Sequence, residues 1–157
     1  MNVAAQLMVF RLGEQRYAVS LSAVQRIVAA VEVTCLPSAP AVVLGVINVS
    51  GHVIPVFNMR RRFRLPEREV CPADQFLIAH TARRTVALVV DEAQSVMECP
   101  AAEIIETAPL VAGSGQIQGV LKLPDGLVLI HDLEKFLSAA EAQTLDDALR
   151  EEVSHET

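Results

Sequence analysis

The chain has 157 residues, 52% of them hydrophobic and only 4% aromatic, with no tryptophan and a formal charge of −6. That length is about one domain, and a core of Val, Ala, Leu and Ile suits narrow barrels or a sandwich, while the lack of Trp removes a stacking platform for sugars or single strands. Residues 1–131 balance eleven acids with eleven bases, whereas 132–157 hold eight acids and two bases, so the basic footprint of a nucleic-acid binder is missing.

Gln6 to Leu12 reads as a strand, turned at Gly13-Glu14 into a second strand over Arg16–Val19. Ser22-x-x-Gln25 has the form of a capping box opening one helical turn around Ala23-Val24. Arg26 to Cys35 returns to strand and is stopped by Pro37. After the Pro37-x-x-Pro40 bend, two apolar runs at 45–50 and 53–57 flank Asn48-Val49-Ser50-Gly51, a hairpin whose turn is built on Asn and Gly. Asn58 to Phe63 reads as a short helix that places Met59 and Phe63 on one face and splays Arg60, Arg61 and Arg62 outward.

Leu65 to Asp74 is a loop, and Gln75–His80 with Arg84–Val90 form a second hairpin. Strands continue at Ala93–Cys99, Gln116–Leu123 and Gly126–Ile130, the last two joined by the turn Pro124-Asp125-Gly126. Asp132 to Phe136 starts a helix, and Ser138 to about Glu152 is helical again, leaving 153–157 as a frayed tail. Nine or ten short strands at this spacing predict a mainly β protein, a barrel or sandwich architecture without a linker that would divide it.

Four segments, in this order, resemble the CheW-type coupling proteins of bacterial chemotaxis. Gly45-Val46-Ile47-Asn48-Val49-Ser50-Gly51 followed by Pro55-Val56-Phe57-Asn58-Met59 is similar to that family's Gly-x-x-Asn-Leu-Arg-Gly-x-x-x-Pro-Val-x-Asp-Leu signature, with Ser50 in place of Arg and Asn58 in place of Asp. Met8 to Tyr17 looks like the family's opening hairpin, Arg84 to Asp91 its Val-Asp strand, and Gly119 to Lys135 its closing strand pair and helix. The resemblance implies one domain over 1–157, made of two small, intertwined five-stranded SH3-like barrels with short helices and a C-terminal helix. It also implies a non-catalytic adaptor that binds the regulatory domain of a CheA-type histidine kinase and the cytoplasmic tip of a methyl-accepting chemoreceptor.

Candidate binding residues follow from the same resemblance: Val24, Arg26, Gly45, Ile47, Asn48, Ser50 and Gly51 on the hairpin rim and inter-barrel groove, and Leu110 and Val111 in a loop flanked by Pro109 and Gly113. The family places a Glu at the position of Arg26 and an Arg at that of Ser50, facing each other as a charge pair. This chain reverses one sign and removes the other charge, and a hydroxyl is a poor substitute for a guanidinium. Two readings stand: a retuned receptor contact, or an adaptor of a non-flagellar pathway, such as type IV pilus twitching, that lacks ordinary receptor binding. From another class, the rival is a small-molecule-binding β-barrel, against which the small core residues speak.

No catalytic motif accompanies His52, His80, His131 or His155, and His131-Asp132 reads as a strand end and a helix cap. Cys35, Cys71 and Cys99 are too widely spaced for zinc and suit reduced thiols, so no metal or cofactor is expected. The run Arg60, Arg61, Arg62, Arg64 and Arg68 reads as a solvated face balanced by the acidic tail, with partner binding as the alternative. No run of eighteen apolar residues and no basic, apolar leader occur, so a cytoplasmic protein without membrane insertion is expected, recruited to receptor arrays at the membrane.

Overall fold

The computed structural model describes residues 4–106 and 117–155. Its first strand, β1 (Ala4–Leu12), is buried on both faces: Leu7 and Val9 point one way, Met8, Phe10 and Leu12 the other. Successive strand residues face opposite sides of a sheet, so such a strand must have packing on both. One side fills a barrel and the other meets a second barrel.

β1 pairs with β2 (Gln15–Ser20), and a 3-10 turn (Leu21–Ala23) leads into β3 (Val24–Ala29). Then come β4 (Val43–Val49), β5 (His52–Phe57), the single-turn helix α1 (Met59–Arg62), β6 (Gln75–His80) and β7 (Thr85–Val90). The chain continues through β8 (Glu92–Pro100), β9 (Ile105–Glu106), β10 (Ile117–Leu123), β11 (Gly126–His131), a 3-10 turn (Leu133–Lys135) and α2 (Ala139–His155). One sheet has the order β8-β1-β2-β11-β10-β9 and the other β3-β6-β7-β5-β4. Each contains one parallel pair, β11 with β2 and β5 with β7, joining strands distant in sequence.

Three apolar clusters result. Leu7, Val9, Ala18, Cys99, Leu121, Val128 and Ile130 fill the first barrel, and Ile47, Ile54, Val56, Phe76, Ile78, Ala87 and Val89 fill the second. The largest cluster lies between them, where α2 contributes Leu145 and Ala148. A file of stacked and edge-on rings crosses it: Phe10–Tyr17, Tyr17–Phe63, Phe63–His131, His131–Phe136 and Phe136–Phe57, with centroids 4.2–6.0 Å apart. All the aromatics of this chain except Phe76 are thus spent on the joint between the barrels, where large rigid rings bury the most area.

The mainly β fold of two packed barrels is as expected, but one sheet has six strands rather than five. The addition is β9, whose Ile105 and Glu106 pair with Val120 and Gly119 of β10. Gly119 permits it, because a Cβ there would stand 2.6 Å from Ile104 Cγ2. The expected strand over 26–35 is divided. β3 ends at Ala29, and Thr34 then makes an isolated antiparallel bridge to Val46, so a single run reaches both edges of its sheet and draws them together. The Ser22 capping box does not form: the turn begins two residues earlier, at Leu21, Ser20 precedes it without a side-chain cap, and Val24 is already strand. At the other end the helix runs on to His155 rather than fraying from 153, and 156–157 lie outside the described residues.

Candidate functional site

The β4–β5 hairpin turns on two residues, Ser50 and Gly51, with φ of +52° and +84°. Positive φ at both central positions is what a primed two-residue turn requires, because only that twist matches the flanking strands. Asn48, expected at the turn itself, instead pairs with Val53 inside the ladder, one rung before the last pair Val49–His52, and braces the turn with its Oδ1, which accepts from the Gly51 N–H at 3.0 Å. Ser50 holds a conformation that an L-residue adopts at a cost of about 1–2 kcal/mol. Its hydroxyl is thereby presented outward.

Arg26 of β3 meets it there. Its Nη2 donates to Ser50 Oγ at 3.2 Å, joining β3 to the turn across the edge where Thr34 bridges to Val46. The two positions of the family's charge pair are therefore in contact, linked by a charge–hydroxyl bond in place of an ion pair. Arg26, Asn48, Ser50 and Gly51 are all exposed and form one rim.

The other candidates divide. Ile47 is buried inside the second barrel, and Val24 is half-buried against the inter-barrel core. Gly45 is buried as well, and its role is close approach: a Cβ there would lie 2.1 Å from the Thr34 carbonyl oxygen. These two, Gly45 and Ile47, shape the rim from beneath and do not line it. Leu110 and Val111 lie outside the described residues.

The arginine run is a solvated face only in part: Arg61, Arg64 and Arg68 are exposed, whereas Arg60 and Arg62 are half-buried, and most of the run is held by carboxylates. Arg60 Nη2 reaches Asp91 Oδ1 at 2.7 Å, Arg68 Nη2 the same oxygen at 2.9 Å, and Arg11 of β1 approaches Oδ2 at 3.5 Å, beside the Gly13 N–H at 2.8 Å. Asp91, just past β7, thus ties the second barrel to β1 of the first. Burial would raise its pKa, but the Gly13 N–H and the arginines outweigh this and hold the carboxyl below its ordinary range. Arg68 also grips Asp74 through two bonds of 2.8 and 2.6 Å. Arg62 lies over Phe136 and pairs with Glu141 of α2, so the acidic C-terminal helix balances this one arginine of the turn. Arg61 alone of α1 behaves as expected, making an exposed pair with Glu67. A run of like charges in sequence carried no sign of these partners, and a long stem lets each guanidinium leave the face its Cα suggests.

The family model for the CheW-like domain matches residues 6–141. The chain belongs to the CheW-like family. It is 28% identical over 146 residues to the chemotaxis protein CheW of Treponema pallidum, covering 89% of this chain and 86% of that one. It is 30% identical over 142 residues to CheW of Bacillus subtilis, covering 88% and 90%. The fold matches the crystal structure of the scaffolding protein TtCheW from Thermoanaerobacter tengcongensis with a TM-score of 0.80 at 24% identity, over 88% of this chain and 96% of that chain. The chain is thus a CheW-like chemotaxis coupling protein.

Within this CheW-like protein, the second signature departure is benign. Asn58 caps α1, its Oδ1 accepting from the Arg61 N–H at 3.1 Å while its Nδ2 donates to Glu67 at 2.9 Å. Asn and Asp are equivalent N-caps. The departure that changes chemistry is at the rim.

Proposed function

We propose that this CheW-like protein is a non-catalytic, cofactor-free adaptor that joins the regulatory domain of a CheA-type histidine kinase to a chemoreceptor's cytoplasmic tip. The observation that carries the receptor half is the Arg26–Ser50 bond: both family contact positions meet on an exposed rim, with the charge changed and the proximity kept. Work of this kind is geometric. Two barrel faces make heterologous contacts, which can close into rings or extend into arrays. Such transient interfaces often bury less than about 1,200 Å², so single apolar anchors count, and Val111 is assigned to the kinase side.

The adaptor acts in the cytoplasm at membrane-associated arrays, without inserting into the bilayer; no helix among the described residues is long and apolar enough to cross one. The test is to restore the family's charges with Arg26→Glu and Ser50→Arg together and to measure binding to a receptor tip. Stronger binding by the double variant supports a retuned rim; no change in binding counts against this rim as the receptor contact. Val111→Asp should weaken kinase-domain binding and leave the fold intact.

One observation favours the second reading, an adaptor of a non-flagellar pathway without ordinary receptor binding. Among the described residues Arg26 makes no ion pair, so its charge is unmatched among them and opposes a receptor surface shaped for a carboxylate there. Kinase-domain binding without any receptor-tip binding, in wild type and double variant alike, is the outcome this reading expects.

A further inference from the structure

Primed hairpin turns favour Asn or Gly at the first central position, because both tolerate positive φ. This chain places Ser50 there, at φ +52°. Serine adds strain at such a position, and what it supplies is a hydroxyl. That hydroxyl stands at the exposed tip with open space beside it: a Cβ built on Gly51 would meet nothing within 4 Å. Its oxygen accepts from Arg26 Nη2 at 3.2 Å, and among the described residues its own hydrogen is donated to no group. Asn48 Oδ1, on the Gly51 N–H, braces the turn independently, so a group added to Ser50 leaves the hairpin standing. An accessible nucleophile therefore lies beside a guanidinium that has no counter-charge among the described residues. Ser38 is the contrast: it is exposed and left-handed too, at φ +68°, yet no basic side chain bonds its hydroxyl among the described residues.

We infer that Ser50 is a phosphoacceptor site, modified by a serine kinase from a nucleoside triphosphate, and that Arg26 holds the phosphate. The inference rests on the rim being a contact surface, as proposed above, and adds its regulation. Ser50 Oγ attacks the γ-phosphorus, and the O–P bond forms as the bond to the β-phosphate oxygen breaks. The nucleoside diphosphate leaves with that electron pair, and the hydroxyl proton passes to the kinase's general base. A phosphoserine carries about −1.5 to −2 charges at neutral pH and three acceptor oxygens. The planar fork of Arg26 can meet two of them, so a bidentate charge pair replaces the single charge–hydroxyl bond. The rim then changes from a lone cation to a pair of opposite charges with a net negative sign. The pair that substitution removed from these two positions returns by modification, with its signs exchanged.

The experiment encodes phosphoserine at position 50, and separately at 38, in the full chain. Phosphorus NMR titration should place the second pKa of the phosphate at 50 below its ordinary value of about 6, because Arg26 favours the dianion, and Arg26→Gln should return it there. The phosphate at 38 should titrate near about 6 with or without Arg26. Phosphate at 50 should raise the thermal midpoint by about 3 °C, a rise that Arg26→Gln abolishes. Peptide mass spectrometry of the chain purified from its own cells should find phosphate on Ser50. Receptor-tip affinity should differ between the two forms by about tenfold or more. An ordinary phosphate pKa that Arg26→Gln does not move, or no phosphate on Ser50 in the chain from its own cells, overturns the inference even where the rim binds a receptor tip. Phosphate found on Ser50 and held by Arg26, with equal tip affinity in both forms, upholds the modification and removes the rim as the receptor contact.

Discussion

His131 sits in the middle of the ring file between the barrels, 2% exposed, edge-on to Phe63 at 5.2 Å and to Phe136 at 5.7 Å. Neither ring nitrogen has a hydrogen-bond partner among the described residues. Burial, reinforced by the charge of Arg62, pushes its pKa down to about 3. In the unfolded chain an imidazole titrates near 6.5. The folded state therefore keeps His131 neutral while the unfolded state takes up a proton, and the stability this represents is full above pH 6.5 and lost as pH falls toward 3. The loss is about 1.4 kcal/mol per pH unit, or about 2 kcal/mol by pH 5.

Asp74, Asp91 and Glu141 are held below the ordinary carboxylate range, each by bonds that outweigh the opposing effect of burial, so their contributions are lost progressively only below about pH 5. The window from 6.5 to 5 belongs to imidazole. Urea unfolding of wild type and His131→Leu across that window isolates the effect, because every other titrating group is common to both and cancels. The wild-type midpoint should fall relative to the variant by on the order of 1 M between pH 7.5 and 5. Parallel pH profiles for the two proteins would refute the reasoning, since they would mean that His131 gains no proton on unfolding.

Asp91→Asn should destabilise by about 3 kcal/mol, because it strips a largely buried carboxylate from the largely buried Arg60 and from the more exposed Arg68 and Arg11, whereas Arg61→Ala, at an exposed pair, should change stability by less than about 0.5 kcal/mol. Denaturant curves of the two variants give the comparison. Gly45→Ala forces a methyl onto the Thr34 carbonyl and should break both Thr34–Val46 backbone bonds, at roughly 1 kcal/mol each plus strain; amide exchange at Val46 reads it out. Ser50→Gly relieves the left-handed residue and removes the Arg26 bond; thermal melts should show it within about 1 kcal/mol of wild type or more stable.

The hairpin was legible in the sequence because period-two apolar runs and an Asn-x-Ser-Gly turn report the same geometry twice. The C-terminal helix, expected over 138 to about 152 and found over 139–155, was legible in its apolar stripe, which the structure buries as Leu145 and Ala148. β9 was not, since two residues have no period, and its pairing depends on the missing side chain of Gly119. The division of 26–35 was hidden because β-branched residues mark extended chain without saying which neighbour it pairs with. The arginine partners were hidden for a related reason: Asp91 and Glu141 lie 31 and 79 residues from Arg60 and Arg62, and composition carries no such distances. At the rim, the sequence showed which charges had changed, but only the fold shows Arg26 and Ser50 still in contact.

Titrating the wild-type chain with an isolated CheA-type regulatory domain, and separately with a receptor tip, addresses the scaffold role itself. Saturable one-to-one binding of the kinase domain is the result expected, at an affinity that Arg26→Glu with Ser50→Arg leaves unchanged. A chain that stays folded and monodisperse yet binds neither protein would contradict the view that its barrel faces are built to hold partners together.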